Sequence, residues 1–472
     1  MSSGRDSVAE SGWPLTATDK TWTTRQLIVV LLVTACGNWS YLIGQYVAFY
    51  LDFKMGVSAL IAGSMIGMLI LTLAVVPMST KYGIDSIAAS KPQFGNRGWL
   101  ITVFLQYASI IGWNALLLVF FGKAVAQALI TLGLAGPESS LTIVRIVSAL
   151  TCVLVYVVLL RGLKGLEAAS NLLFVFVVGI GLWMLYELLS SQAAALAVAK
   201  PSMASSSLSW NYVTGVEISI VSLLGFWAYF GTIVREAPSA SSSVLPSMLA
   251  MGLSLPLLSI VGLAAMLVLQ VPDPTAWLVS LGGPLYGLIA LLFVMAANLG
   301  PSLAGVYSTA IGLRRVPALG GARWSTLILF SIVPVAAVGI LIPEEFFSSF
   351  GTFLAFIGVF FAPLCAIQIA DTFLLRRNTL NVRGIYQDGP GTPYEFWGGF
   401  NPAALLAMAA GFVTYLYLLN PVTYVSRWPY EYTTASLPAA LIAGLVFVVV
   451  TRFWIIPSRK GDYNSLRGPQ KA

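Results

Sequence analysis

The sequence predicts an all-α integral membrane protein of about twelve transmembrane helices. Three observations carry this. Of 472 residues, 58% are hydrophobic and 9% are charged, against about 25% charged in a soluble domain. The apolar residues gather into runs of about 20, the length that crosses a bilayer's hydrocarbon core. Two of the runs are interrupted at matching places by small and polar residues, the mark of a helix broken at membrane depth.

The runs lie near 27–52, 58–80, 99–130, 143–160, 169–189, 212–233, 246–270, 285–312, 324–342, 349–375, 402–420 and 436–456. The first 25 residues are polar, and no short apolar stretch with a small-residue cleavage site follows, so no cleavable signal is expected. The spans and their connections use nearly the whole chain. The expected division is a tail (1–25), a five-helix repeat (26–189), a second, inverted repeat (212–375), a closing helix pair (400–456) and a tail (457–472).

Basic residues orient the spans. With the N-terminus in the cytoplasm, 20 of the 25 Lys and Arg fall inside, among them Arg5, Lys81, Lys91, Lys164, Arg235, Arg315, Arg376, Arg467 and Lys471. Lys54, Arg145, Lys200 and Arg427 fall outside, and Lys123 lies within a span. This is the bias of the positive-inside rule. It favours an even span number, with both termini in the cytoplasm of a cell (inner) membrane.

The composition also excludes functions. Histidine is absent, which removes imidazole metal sites, imidazole-based triads and histidine proton relays. Cys36, Cys152 and Cys365 lie in apolar stretches without metal or redox spacing, and they read as small buried apolar residues. No catalytic residue, metal or organic cofactor is expected. The net charge of +7 is scattered over loops with no aromatic platform, so topology explains it and nucleic acid is not an expected partner.

The first interruption reads Cys36-Gly37-Asn38-Trp39-Ser40-Tyr41-Leu42-Ile43-Gly44-Gln45. The sixth span reads Leu223-Leu224-Gly225-Phe226-Trp227-Ala228-Tyr229-Phe230-Gly231-Thr232. Unwound backbone at depth frees N–H and C=O groups that can bind a polar solute. Trp113 follows Trp39 by 74 residues and Asn298 follows Trp227 by 71, nearly equal offsets that fit two five-helix repeats. Close helix packing is the alternative use of each glycine cluster.

Candidate solute-binding residues follow from depth and chemistry. Trp113 lies about 14 residues, or roughly 21 Å, into its helix, too deep for an interfacial belt. Trp113 and Trp227 from facing helices would sandwich a flat heteroaromatic ring. Asn298, before Pro301, offers two donors and an acceptor to a planar amide edge; helix-to-helix adhesion is its other reading. Asn114, Ser40 and Gln45 complete the set. For ion coupling, Glu217 is the candidate, since a carboxyl in apolar surroundings can carry a proton. A wet vestibule, or an ion pair with Lys123, is its alternative.

These marks, with a series of short motifs, resemble the nucleobase–cation symporter family, the permeases for cytosine, purines, uracil, thiamine and allantoin. The motifs are Phe361-Ala362-Pro363-Leu364, Ile369-Ala370-Asp371, Arg376-Arg377 and Phe396-Trp397-Gly398-Gly399-Phe400-Asn401, with Gly112-Trp113 and Gln93-Phe94-Gly95 earlier. The purine–cytosine branch is nearest, through Trp227-Ala228-Tyr229, Ala297-Asn298-Leu299-Gly300-Pro301 and Tyr307-Ser308. The resemblance implies ten core helices plus two, similar in fold to the leucine-type sodium transporters. It implies stacking by Trp113 and Trp227 and an edge contact from Asn298. Sodium-coupled members carry adjacent hydroxyls in span eight. Here that region reads Gly300-Pro301-Ser302, with at most one hydroxyl, which favours the proton over sodium as coupling ion.

The expected function is secondary transport of a nucleobase or related planar heterocycle by alternating access, with lipid as surroundings and the monomer favoured. An amino acid or cationic compound on the same fold is the first alternative. A membrane-embedded enzyme is the second, disfavoured by the missing His and phosphate-binding loop.

Overall fold

The computed structural model describes residues 13–20, 22–35, 37–161 and 166–463. Among these, eight helices are long and apolar enough to cross a membrane, or ten spans if each of two bent pairs counts once. Cys36, Lys164 and the charges Arg5, Arg467 and Lys471 lie outside the described residues.

Span one is α1 (Thr24–Ala35) and α2 (Trp39–Ala48), bent by 57°. Span two is α3 (Phe53–Tyr82), started by Asp52, whose side chain accepts from Met55 N. A helix the sequence did not suggest follows: α4 (Ser86–Phe94). Pro92 within it argues for a loop, yet the Asp85 carboxylate accepts from Ala88 N at 2.9 Å and starts the helix. Next come α5 (Leu100–Thr131), α6 (Ser140–Arg161) and α7 (Leu166–Ser191). Span six is α8 (Leu208–Leu224) and α9 (Trp227–Val234), bent by 49°. Span seven divides into α10 (Val244–Ala250) and α11 (Ser254–Leu269). The eighth is α12 (Pro274–Arg314), longer than expected and kinked at Gly283. Then come α13 (Trp324–Leu341), α14 (Phe350–Ile369), α15 (Pro402–Leu418) and α16 (Ser436–Val450).

Packing divides the helices into two bodies. In one, α2 lies on α11 and α3 on α8. In the other, α5 lies on α12 and α6, and α6 on α13, around a separate apolar cluster that includes Leu118, Val155, Val306 and Ile328. The α2–α11 contact is a backbone-to-backbone approach. A Cβ on Gly44 would lie 1.7 Å from Ser259 O, and one on Gly262 would lie 2.0 Å from Tyr41 O. Without a hydrophobic drive between helices in lipid, such close contact is what holds them.

At the end of the molecule bearing α4, the two bodies are tied by charge. Arg315, after α12, reaches both carboxylate oxygens of Asp85, with Nη1 to Oδ1 at 2.8 Å. A second, buried ion pair lies nearby. Asp371 accepts from Arg376 Nε (2.8 Å), Gln93 Nε2 (2.7 Å) and the Tyr463 hydroxyl (2.8 Å). The C-terminal segment up to residue 463 is therefore docked rather than a loose tail.

Gly262→Val is expected to prevent α2 from seating on α11, because the atom it meets is backbone that cannot turn aside. The destabilisation should exceed the roughly 1–3 kcal/mol usual for overpacking; loss of monodisperse protein in detergent size-exclusion chromatography checks this.

A candidate solute site at the two breaks

The breaks of spans one and six meet through aromatic side chains. Trp39, the first residue of α2, lies 5.3 Å from Phe226, which precedes α9. Trp113, midway along α5, is 5.2 Å from Trp39, edge to face, and 6.3 Å from Phe226 with 32° between planes. Phe350 and Phe353 of α14 close the cluster, 5.4 and 5.8 Å from Trp113. All distances are between ring centroids.

A pair of amides borders these rings. Asn38 Nδ2 donates to Val294 O (3.2 Å) and to Asn298 Oδ1 (3.3 Å). Both residues are buried. Asn38 Oδ1 and Asn298 Nδ2 have no hydrogen-bond partner among the described residues. The bond to Val294 O fixes which way Asn38 faces, so a free acceptor stands beside a free donor. Buried polar atoms are rarely left so without a ligand or water to complete them. Asn114 lies against Gly305, donates to Ile110 O (3.0 Å) and leaves its own Oδ1 unpaired among the described residues.

The other expected residues lie elsewhere or act differently. Trp227 does not face Trp113 as expected. It is fully buried on the other side of its helix, donating to Gln368 Oε1 (2.7 Å) and packed 5.7 Å from Phe361. The ring nearest Trp113 from span six is Phe226. Ser40 turns back to donate to Ala35 O (3.2 Å). Gln45 lies further along α2 and donates to Pro272 O (3.2 Å). The backbone freed at the sixth break is already occupied. Trp227 O accepts from Ser86 Oγ (2.9 Å), Ala228 O accepts from Gln106 Nε2 (2.6 Å), and Gly231 N donates to Ser86 Oγ (3.1 Å). Gly231 permits this approach, since a Cβ there would lie 2.3 Å from Ser86 N.

The family model described as permease for cytosine/purines, uracil, thiamine, allantoin matches residues 14–434. The chain belongs to this family. A curated purine-uracil permease, NCS1 of Arabidopsis thaliana, is 23% identical, over 90% of this chain and 73% of that protein. Among solved structures, the inward-facing conformation of Mhp1 superposes with a TM-score of 0.77 at 16% identity, covering 97% of each chain. Mhp1 in a closed conformation with bromovinylhydantoin bound gives 0.70 at 18% identity, covering 96% of this chain and 99% of that one. The fold is that of a nucleobase–cation symporter, a membrane transporter.

Several motif residues that mark the family cluster at the α4 end and act as scaffold. Asn401 Nδ2 donates to Gln93 O (2.5 Å), while its Oδ1 accepts from Ala403 N to start α15. Arg376 also donates to Pro92 O and Gly461 O.

The two residues expected to couple an ion are held locally. Ser302 Oγ donates to Asn298 O (2.8 Å). Glu217 is neither in a wet vestibule nor paired with Lys123, which instead binds Asp273 at 2.9 Å. At 2% exposure, Glu217 caps the start of α16. It accepts from Ala435 N (3.2 Å), Ser436 N (3.1 Å) and Ser436 Oγ (2.6 Å). A carboxylate there satisfies helix N–H groups and meets the positive end of the helix dipole. The geometry thus gives Glu217 an anchoring role at the start of α16.

Glu217→Gln should lower stability by about 1.5–3 kcal/mol, the range for a lost charged hydrogen bond, and leave the pH dependence of any uptake unchanged. A thermal unfolding midpoint and an uptake–pH profile measure the two effects separately.

Proposed function

We propose that the protein imports a neutral, planar heterocycle of the nucleobase type, gripped between the Trp113 and Phe226 rings and read at its edge by Asn38 and Asn298. The observation that carries this is the adjacent free acceptor and free donor beside the aromatic cluster. A lactam or aminopyrimidine edge presents a donor next to an acceptor and completes both. Stacking supplies affinity with tolerance of ring identity, and the amide pair supplies selection, because a ligand lacking that edge leaves buried groups unpaired.

Transport then proceeds by alternating access. The body holding α2, α3, α8 and α11 rocks against that holding α5, α6, α12 and α13 around the site. Opening at the α4 end, which we assign to the cytoplasm with both termini, breaks the Asp85–Arg315 pair and the Gln106–Ala228 bond. The protein works as a monomer in the cell's inner membrane. The proton is the proposed coupling ion, supported by the Gly300-Pro301-Ser302 stretch of span eight, which carries one hydroxyl, at Ser302. Coupling requires that ion and solute stabilise the same state.

Asn298→Ala is expected to weaken binding of the best heterocycle by about 1–3 kcal/mol, roughly five- to 150-fold. Trp113→Ala should weaken it for every heterocycle alike. Competition binding with cytosine, adenine, uracil, hydantoin and an amino acid checks both; displacement by the amino acid alone would overturn the substrate class. In proteoliposomes, uptake should follow an imposed pH gradient and persist when choline replaces sodium, as a radiotracer flux assay will show.

A further inference from the structure

A cavity opens at the end of the molecule opposite α4. Its volume is about 510 Å³, within the range of small-molecule sites. Gln45, Tyr46, Phe49, Tyr50 and Tyr424 line it, with the Lys123–Asp273 pair. Gln45 lies six residues beyond Trp39, or about 9 Å along α2 at 1.5 Å per residue.

Three features make this cavity a built site. Gln45 is 4% exposed, and its amide is fixed by donation to Pro272 O. Its Oε1 is buried and has no partner among the described residues. The walls are aromatic: Tyr50 stacks against Tyr424 at 6.3 Å, and Tyr46 stands edge-on to Phe49 at 5.5 Å. The charge of Lys123 is compensated by Asp273 at 2.9 Å and by the Phe347 ring, 4.7 Å from Nζ. Glu344, at the exposed rim, is the other charged residue of the lining. The lining therefore offers ring faces with one unpartnered acceptor buried behind them, and little net charge to attract an ion.

Phe350 stands between this cavity and the inner cluster. Its ring is fully buried, 6.4 Å from Tyr46 on one side and 5.4 Å from Trp113 on the other.

We propose that this outer cavity is a second binding site for the same class of planar N–H-bearing heterocycle, separated from the inner site by the Phe350 ring. The inference rests on the proposed function and adds a second molecule to it. A solute N–H donates to Gln45 Oε1 while its ring lies among Tyr46, Phe49 and Tyr50. It reaches the Trp113 cluster once Phe350 turns aside.

The test is the molar binding ratio at saturation. Equilibrium dialysis of the purified full-length chain is run with radiolabelled cytosine, adenine, uracil and hydantoin in turn. For the compound that binds, the expected ratio is two. Gln45→Met, which keeps volume and removes the acceptor, should reduce it to one. Tyr50→Leu should act likewise, and Trp113→Ala should also leave one molecule bound, at the outer site. An unchanged thermal unfolding midpoint for at least one of the two outer-site variants confirms an intact fold. A ratio of one in the unaltered protein overturns the outer site and leaves the proposed function standing. A ratio of two that survives both outer-site variants overturns it as well. If none of the four compounds binds, the proposed function falls, and the outer site with it.

Discussion

Two helices are broken inside a medium that offers no water, and every backbone group they release must find a partner within the protein. An unsatisfied peptide group in hydrocarbon costs several kcal/mol. The structure meets this demand with side chains from neighbouring segments. Ser40 answers Ala35 O in span one. Ser86 and Gln106 answer Trp227 O, Ala228 O and Gly231 N in span six. These partners dictate much else. Ser86 can reach span six only because α4 folds as a helix beside it, and Gln106 can reach it only because α5 runs past the break. The chemistry left over for a solute is then set by side chains: an aromatic cluster and two half-satisfied amides.

The same arrangement joins site to periphery. α4 holds the sixth break through Ser86, the end of α12 through Asp85, and the knot around Asp371 through Gln93. A rotation of one helical body against the other must therefore pass through this short helix. Its interactions differ in kind. Asp85–Arg315 keeps some solvent contact at the end of the molecule, so water can take over its charges when the pair parts. Asp371–Arg376 is fully buried with its oxygens multiply bonded, and breaking such a pair strands a charge. The first suits a contact that cycles, and the second a fixed base on which it turns.

Much of this was legible in the sequence, for physical reasons. The membrane fold follows from charge scarcity and run length, and the breaks follow from glycine and polar residues inside apolar runs. The family was legible because its motif residues, such as Asp371, Arg376 and Asn401, are constrained by a dense hydrogen-bonding scaffold. The site was harder. Trp227 and Phe226 are neighbours, and one residue of helix rotates a side chain by about 100°. Which of the two faces Trp113 depends on how the broken helix is set down, which no local pattern records. Glu217 finds its partners 218 and 219 residues away, so its spacing carried no trace of the cap. Asn38 lies within the first interruption, where local pattern marks a backbone break and carries no trace of a side-chain bond to Asn298, 260 residues away. Gln45 shares the interruption's stretch of sequence, yet it lies six residues beyond Trp39 along α2 and bonds to Pro272 O.

Membrane helices insert in order as a chain is made, and the docking of Tyr463 gives that order a consequence. Until residue 463 has left the ribosome, the carboxylate of Asp371 lacks the phenol that completes its shell, and the guanidinium of Arg376 lacks the ring 4.1 Å above it. The earlier helices can be threaded and paired before then, but the base under α4 cannot be sealed. Biosynthesis thus leaves the knot around Asp371 incomplete until residue 463 arrives, so a chain stalled before it holds this ion pair with one side still open.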